Sequence, residues 1–428
     1  MRFSTQRFNG FFLFFIIFIF LTAIFWLYQK HTIGNDSTIS EWLINYQGGF
    51  TRRGIIGEIS FQFASYFNQN LRFVIFLFQS LLYLFYLLLI YFFIKDTPGN
   101  VLTVLAIFSP IFILYPIAEL EVLARKEVFL YVGFIIFLNL SSNKYPTNIP
   151  LIYIFFIFPI LCLIWEPFIF FFLFPVFIIL IKNSKHSFRK ILFKIFLSFS
   201  SSIITISIIL SNLLSPEEHF IMEKSLMDNF GEVCYMSCSL LKDKASISSQ
   251  FTSVYNSLSI EIIFRYLIVI LIGFSALLIL IFNSQLKDKL SYSLSQRYKW
   301  INANIIFISF IISLLPSIIL FSSMTDWGRI VNLIYTFSIL SYIYLLKNKF
   351  IYLDEKIEYF DNLYIHKNKI FLVFIFIFMF GWNQKTAMTG DVATNSLYKI
   401  IYNTSKKIFH FDSVRLFQDS PLINFHKK

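Results

Sequence analysis

Long apolar runs broken by short polar islands set the pattern of this 428-residue chain. A helix needs about 20 apolar residues to cross roughly 30 Å of hydrocarbon, and only segments that satisfy their own backbone hydrogen bonds are stable there. Eleven runs meet or approach that length: 11–28, 73–94, 101–118, 128–141, 149–164, 167–181, 195–213, 262–282, 301–321, 330–346 and 370–385. The expected fold is therefore all-α, a polytopic integral membrane helical bundle of about 11 transmembrane helices. The 214–261 loop is expected to form a small cap on one side. Residues 1–385 make the membrane domain, and 386–428 form a C-terminal tail.

Composition closes off other classes. With 57% hydrophobic residues, 58 phenylalanines and a mean hydropathy of +0.70, the chain has too much apolar surface for a soluble globule. The net charge of +12 does not point to nucleic acid, because no soluble basic domain and no zinc or RNA-binding motif carries it. No HExxH, Walker or GxGxxG motif is present, and the three cysteines form no metal-binding spacing. Cys162 lies in an apolar run and reads as a packing residue. The richness in Ile, Phe, Asn and Lys matches an AT-rich coding bias, so single aromatic residues carry little functional weight.

Positive charge orients the bundle. Arg2 and Arg7 precede the first span and no small-residue cleavage site follows it, which predicts a retained helix with a cytoplasmic N-terminus. The inward loops then hold Lys182, Lys185, Arg189, Lys190 and Lys194, next Lys287, Lys289, Arg297 and Lys299, and last Lys347, Lys349, Lys356, Lys367 and Lys369. The same topology sends loops 29–72, 119–127, 214–261 and 322–329, with the Trp165-Glu166-Pro167 turn, to the opposite face. The tail would share that face despite its lysines; an amphipathic surface helix near 395–411 or one miscounted span would reconcile the two.

Most chemistry-bearing residues collect on that face. Glu41 to Glu58 packs Glu41, Asn45, Arg52, Arg53, Glu58 and four glycines into one polar island, in a chain only 14% charged. Arginine forks suit phosphate oxygens, and glycines let backbone approach a ligand. A diphosphate is the natural partner of such donors, while anchoring to lipid headgroups is the bland alternative. Between the third and fourth spans lie Glu119, Glu121, Arg125, Lys126 and Glu127, where a helix would bring Glu121 and Arg125 together. Asp326 and Arg329 flank Trp327 and Gly328 at pairing distance for a helix. Glu166, before Pro167, reads as a helix-start carboxylate. Cys234 and Cys238, in C-x3-C spacing, could form a disulfide that staples the long loop, and His219 reads as a loop histidine.

Taken together, W-x-x-N-Y-x-G-G-F-x-R-R-G-x-x-G-E, the R-K-E after the third span and the later D-W-G-R resemble membrane proteins of bacterial surface-polysaccharide clusters. The chain resembles a Wzy-type O-antigen or capsule repeat-unit polymerase, broadly similar to GT-C membrane glycosyltransferases. The GT-C acidic pair in the first outer loop is met only loosely, by Asp36 and Glu41.

This resemblance implies transfer of a growing glycan from undecaprenyl diphosphate to a lipid-linked repeat unit, on the periplasmic side of the bacterial inner membrane. Arg52 and Arg53, helped by Arg125, Lys126 or Arg329, would hold the diphosphate, and Glu41, Glu58 or Asp326 would act as base. No cofactor or metal is required where guanidiniums supply the positive charge. The implied partners are the lipid-linked oligosaccharide, the bilayer, a chain-length regulator and a flippase. Two other functions remain open. One is a GT-C transferase using a polyprenyl-phosphate donor; the other is a lipid-linked oligosaccharide flippase or transporter, which would need charge along a path through the bilayer.

Overall fold

The computed structural model describes residues 5–34, 36–97, 100–184, 187–242, 247–286, 305–353, 369–390 and 396–409. Lys185, Lys287, Lys289, Arg297, Lys299, Lys356 and Lys367 of the expected inner loops lie outside the described residues, as do 391–395 and 410–428 of the tail and 301–304 of the ninth span.

The chain opens with a long apolar rod, α1 (Thr5–Ile33). Asp36 then caps a single turn, α2 (Ser37–Ser40), by accepting from the Thr38 N–H at 2.8 Å. A 3-10 turn at Glu41–Leu43 leads through the glycine-rich island to α3 (Gly54–Tyr66) and then to α4 (Leu71–Ile94), which Asn70 caps. The packed middle of the chain holds α5 (Val101–Ile107), α6 (Tyr115–Ala118), α7 (Glu127–Leu140), α8 (Ile149–Ile164), α9 (Leu173–Lys182) and α10 (Phe188–Ser211). After these come α11 (Pro216–Phe230), α12 (Ile247–Ser257), α13 (Ile260–Phe282), α14 (Ile305–Leu314), α15 (Ile318–Ser323), α16 (Trp327–Lys347), α17 (Lys369–Phe380) and α18 (Ser396–Phe409).

Among the described residues, six helical segments are long and apolar enough to span a membrane: Phe8–Ile33, Leu71–Ile94, Phe188–Ser211, Ile260–Phe282, Ile306–Ser323 and Trp327–Lys347. The chain is thus a mostly helical protein with the features of a multi-pass membrane protein; the expected count of eleven is not reached by this measure. Several of the expected apolar runs are not single long helices. The 101–118 run breaks after α5 at Ser109-Pro110, where proline disfavours helix in the residue before it. The 167–181 run starts as a 3-10 turn at Glu166–Phe171 before α9, and α17 stops at Phe380. The runs at 128–141 and 149–164 form helices of 14 and 16 residues.

The core is built around α16, buried from Trp327 through Leu345. A helix buried on every side has to satisfy its own polar groups, and α16 does so across its neighbours. The Asn332 amide donates to the Ile111 and Phe112 carbonyls at 2.8 and 3.1 Å, pairing backbone groups freed by the break between α5 and α6. Tyr131 donates to the Asn332 side-chain oxygen at 2.7 Å, and Tyr335 to the Ala106 carbonyl at 2.6 Å.

Among its described residues the 214–261 segment contains two helices, α11 and α12, and the first carries a full capping box at Ser215 and Glu218. It is fastened to the first polar segment by Arg72 and Glu232 at 2.6 Å, by the Ser237 N–H donating to Ser40 Oγ at 3.3 Å, and by the Phe61 and Phe230 rings. A two-stranded antiparallel sheet, β1 (Ser284–Leu286) with β2 (Ile351–Leu353), departs from the all-helical expectation.

Candidate functional site

The polar island folds against its own helix. An added Cβ at Gly57 would overlap the Ile44 carbonyl, so glycine alone lets α3 press onto the Trp42 to Ile44 backbone. Glu58, a candidate base, is spent on structure: it accepts from the Tyr46 N–H at 2.8 Å and from the Gln47 and Gln62 amides, each at 2.7 Å. Arg53 adopts a left-handed conformation, φ 63°, at the entry to α3.

That turn aims both arginines at one carboxylate. Neighbouring side chains on extended backbone point to opposite sides, whereas here Arg53 makes a two-pronged pair with Glu166, both contacts at 2.8 Å, and Arg52 reaches the same group at 3.5 Å. Glu166, expected as a simple helix-start residue, is therefore the counter-ion of the R-R pair. Trp165-Glu166-Pro167 stood out as charge in a chain that uses little of it, but partnership across more than a hundred residues has no local signature.

A second group centres on Glu41, whose side chain is 1% exposed. Arg125 and Arg329 each approach its Oε1 to 3.4 Å. Arg329 also lies 3.2 Å from Glu127 and 3.4 Å from Asp326, and Arg125 lies 3.7 Å from Asp326. The expected Glu121–Arg125 pair does not form: the segment is a 3-10 turn followed by Ala124 at φ 50°, which leaves Glu121 exposed and turns Arg125 inward. Arg329 also packs over the Trp165 ring, 5.9 Å from its centroid.

Lys126 joins the two groups. It is fully buried, and its ammonium donates to the Arg53 carbonyl oxygen. Expected as a phosphate grip, it instead faces the backbone of the R-R turn. Burial drives its pKa down to about 7, against the pull of Glu41. The carboxylates behave oppositely. Burial pushes Glu166 up, but Arg53 beside it prevails and holds it at about 2; burial likewise opposes Arg125 and Arg329 at Glu41, which stays below the usual carboxylate range.

Glu41, Glu127, Glu166 and Asp326 thus face Arg52, Arg53, Arg125, Lys126 and Arg329, one more cation than carboxylate. The starts of α3, α7 and α16 meet here, adding the positive ends of three helix dipoles. Glu41 Oε2 and Arg125 Nε are buried without a hydrogen-bond partner among the described residues. Its most open members are Asp326, 30% exposed, and Arg52, 27% exposed. Of the three candidate bases, Asp326 alone combines a place in the cluster with an open face.

A wall of the site comes from the junction of the expected last span and the expected tail. Residues after α17 cross the D-W-G-R turn: the Gly328 N–H donates to the Thr386 carbonyl at 3.1 Å, and the Gln384 amide to the Gly328 carbonyl at 2.8 Å. A Cβ at Gly328 would overlap the Lys385 carbonyl, so the glycine of that motif serves this crossing. Lys385 comes within 3.9 Å of Glu119.

Two further groups stand aside. Asp36 is occupied by Lys30 at 2.9 Å and by Thr38. Cys234 and Cys238 are joined in a disulfide, their Cα atoms 5.3 Å apart, beside the buried His219. These three would gather donor atoms within 4.8 Å, but joined sulfurs offer no thiolate to a metal. No family model, curated protein or solved structure matches the chain.

Proposed function

We propose that this chain is a membrane glycosyltransferase of the repeat-unit polymerase type, working on lipid-diphosphate-linked oligosaccharides. The observation that carries the reading is the gathering of four arginines, one lysine and a half-open Asp326 into a single cluster at the helix starts of an apolar bundle. In the proposed step an acceptor sugar hydroxyl attacks the anomeric carbon of the donor glycan. The bond to the lipid diphosphate breaks, the diphosphate leaves with the electron pair, and Asp326 takes the hydroxyl proton. Arg52, with Arg53 and Arg125 behind it, stabilises charge growing on the departing oxygen. In this reading the cluster faces the periplasm of a bacterial inner membrane. The bilayer delivers both substrates, and a flippase and a chain-length regulator work alongside.

The reading is preferred to a GT-C transferase with a monophosphate donor because both acids of the loosely met pair in the first polar segment are engaged and closed off: Asp36 by Lys30 and Thr38, and the buried Glu41 by Arg125 and Arg329. It also differs from what a flippase requires, because the clustered charges sit at helix starts rather than along a path through the spans. Cells lacking the chain are expected to display lipid core capped with a single repeat unit, read by gel separation of surface glycan. Loss of one side-branch sugar with normal chain length would favour the monophosphate-donor transferase.

A further inference from the structure

We infer that Lys126 is the positioning residue of the anion grip: by holding the Arg53 carbonyl it fixes the left-handed turn that sends Arg52 and Arg53 to the same place. The inference rests on the proposed diphosphate-binding reading and assigns its regulation.

The argument begins with backbone. A residue with a side chain in the left-handed region is strained and persists only where its surroundings over-determine it. Arg53 is held from two directions: its guanidinium by Glu166, and its carbonyl by the Lys126 ammonium. The glycine that follows, Gly54, begins α3 and does not itself supply the positive φ. Without the pull on the carbonyl, the turn can relax toward extended backbone, and the two arginines then diverge. Lys126 has no exposed surface and its ammonium points at the chain, so it acts on a ligand through Arg52 and Arg53 rather than by touching it.

Charge makes this hold variable. An ammonium bonds a carbonyl more strongly than a neutral amine does. The groups acting on Lys126 are Glu41 from the 3-10 turn after α2, Arg53 at the start of α3, Glu166 from the turn before α9 and Glu127 from α7. Glu41 and Glu166 stay ionised through neutrality and arginine does not titrate there; burial raises Glu127 and lowers Lys126, and it is Lys126, at about 7, whose charge bears on the Arg53 carbonyl. Anion affinity should therefore fall as pH rises through about 7. Stability should move the other way. A lysine that holds its proton less tightly in the folded chain than in the unfolded one costs stability while both carry it. That cost is relieved as pH climbs from about 7 toward the ordinary lysine range.

The test is binding of a short-chain prenyl diphospho-sugar to the full-length purified chain, at about pH 6 and about pH 8. Both phosphoryl groups of this diester are ionised throughout. Wild-type affinity is expected to fall several-fold over that interval. Lys126→Met should bind about tenfold more weakly at the lower pH and lose the pH dependence, while Lys126→Arg should stay tight with a flat profile. A double-mutant cycle separates positioning from direct contact: Arg52→Ala should cost less in the Lys126→Met background than in wild type. Wild-type-like affinity and pH profile in Lys126→Met overturn the inference while leaving the diphosphate reading intact, and so does full additivity with Arg52→Ala. Absence of binding by the wild type at either pH overturns both. Because methionine removes a buried charge, a raised melting midpoint with weakened binding is the signature of positioning, which a purely structural lysine would not give.

Discussion

Replacing Glu41 with alanine is expected to destabilise the folded chain by about 3 kcal/mol or more, an effect large enough to reduce the yield of folded protein sharply. Glu41 is the shared counter-ion of Arg125 and Arg329, and all three are buried. Removing it leaves two guanidiniums with only Glu127 and the half-open Asp326 between them. The penalty comes from charge left buried and unpaired rather than from the net worth of the pair. Glu41→Gln should behave nearly as badly, since it keeps the shape and loses the charge. Thermal unfolding of the detergent-purified variants checks this, and a midpoint matching the wild type for either would show that the cluster is held open by water and is not a packed hub.

Asp326→Asn and Arg52→Ala are expected to spare folding and remove function. Asp326 and Arg52 are the most open members of the cluster, so their loss strands little. On the proposed chemistry, losing the base lowers turnover about 10²–10⁴-fold, and losing one charged contact to the leaving group about 10²-fold. In cells, both variants should insert at wild-type level and yield glycan capped at one repeat unit. Arg53→Ala is a poorer probe, because it also leaves Glu166 buried without its two-pronged partner. Long glycan chains of normal length from both Asp326→Asn and Arg52→Ala would remove these residues from the chemistry.

Residue type and spacing made part of this site legible and part of it invisible. Asp326 and Arg329 meet at 3.4 Å as their three-residue separation predicts, because local helix geometry is written in local sequence. Rarity of charge drew attention to the R-R pair, R-K-E and D-W-G-R, and the fold does gather all three. Rarity does not name partners, however. Glu121 lost Arg125 to Glu41, which lies 84 positions away, because a 3-10 turn replaced the helix on which their pairing depended. Lys126 looked like its neighbour Arg125, yet one step along the chain reversed its direction, from the cluster to the backbone of Arg53. The crossing of residues 383–388 over the Thr325 to Gly328 turn has no local signature either: the expected span boundary at 385 cut through it, and its partners lie more than fifty positions away.

Hydrophobicity alone likewise does not show where a helix breaks. It registers that 101–118 is buried, which is correct, but it cannot register that Ser109-Pro110 breaks the helix or that Asn332 repairs the exposed carbonyls. Conversely, α11 has the polar surface of a soluble helix and a capping box at its start, both readable in Ser215-Pro216-Glu217-Glu218, within a segment whose polarity by itself suggests a loop.

The most direct measurement is reconstitution of the full-length chain in lipid vesicles with a lipid-diphosphate-linked oligosaccharide as sole substrate, followed by separation of products by length. The account predicts a ladder of multimers with release of lipid diphosphate, absent from vesicles carrying Asp326→Asn. Unchanged substrate with folded wild-type protein, or movement of substrate across the bilayer without lengthening, would contradict it.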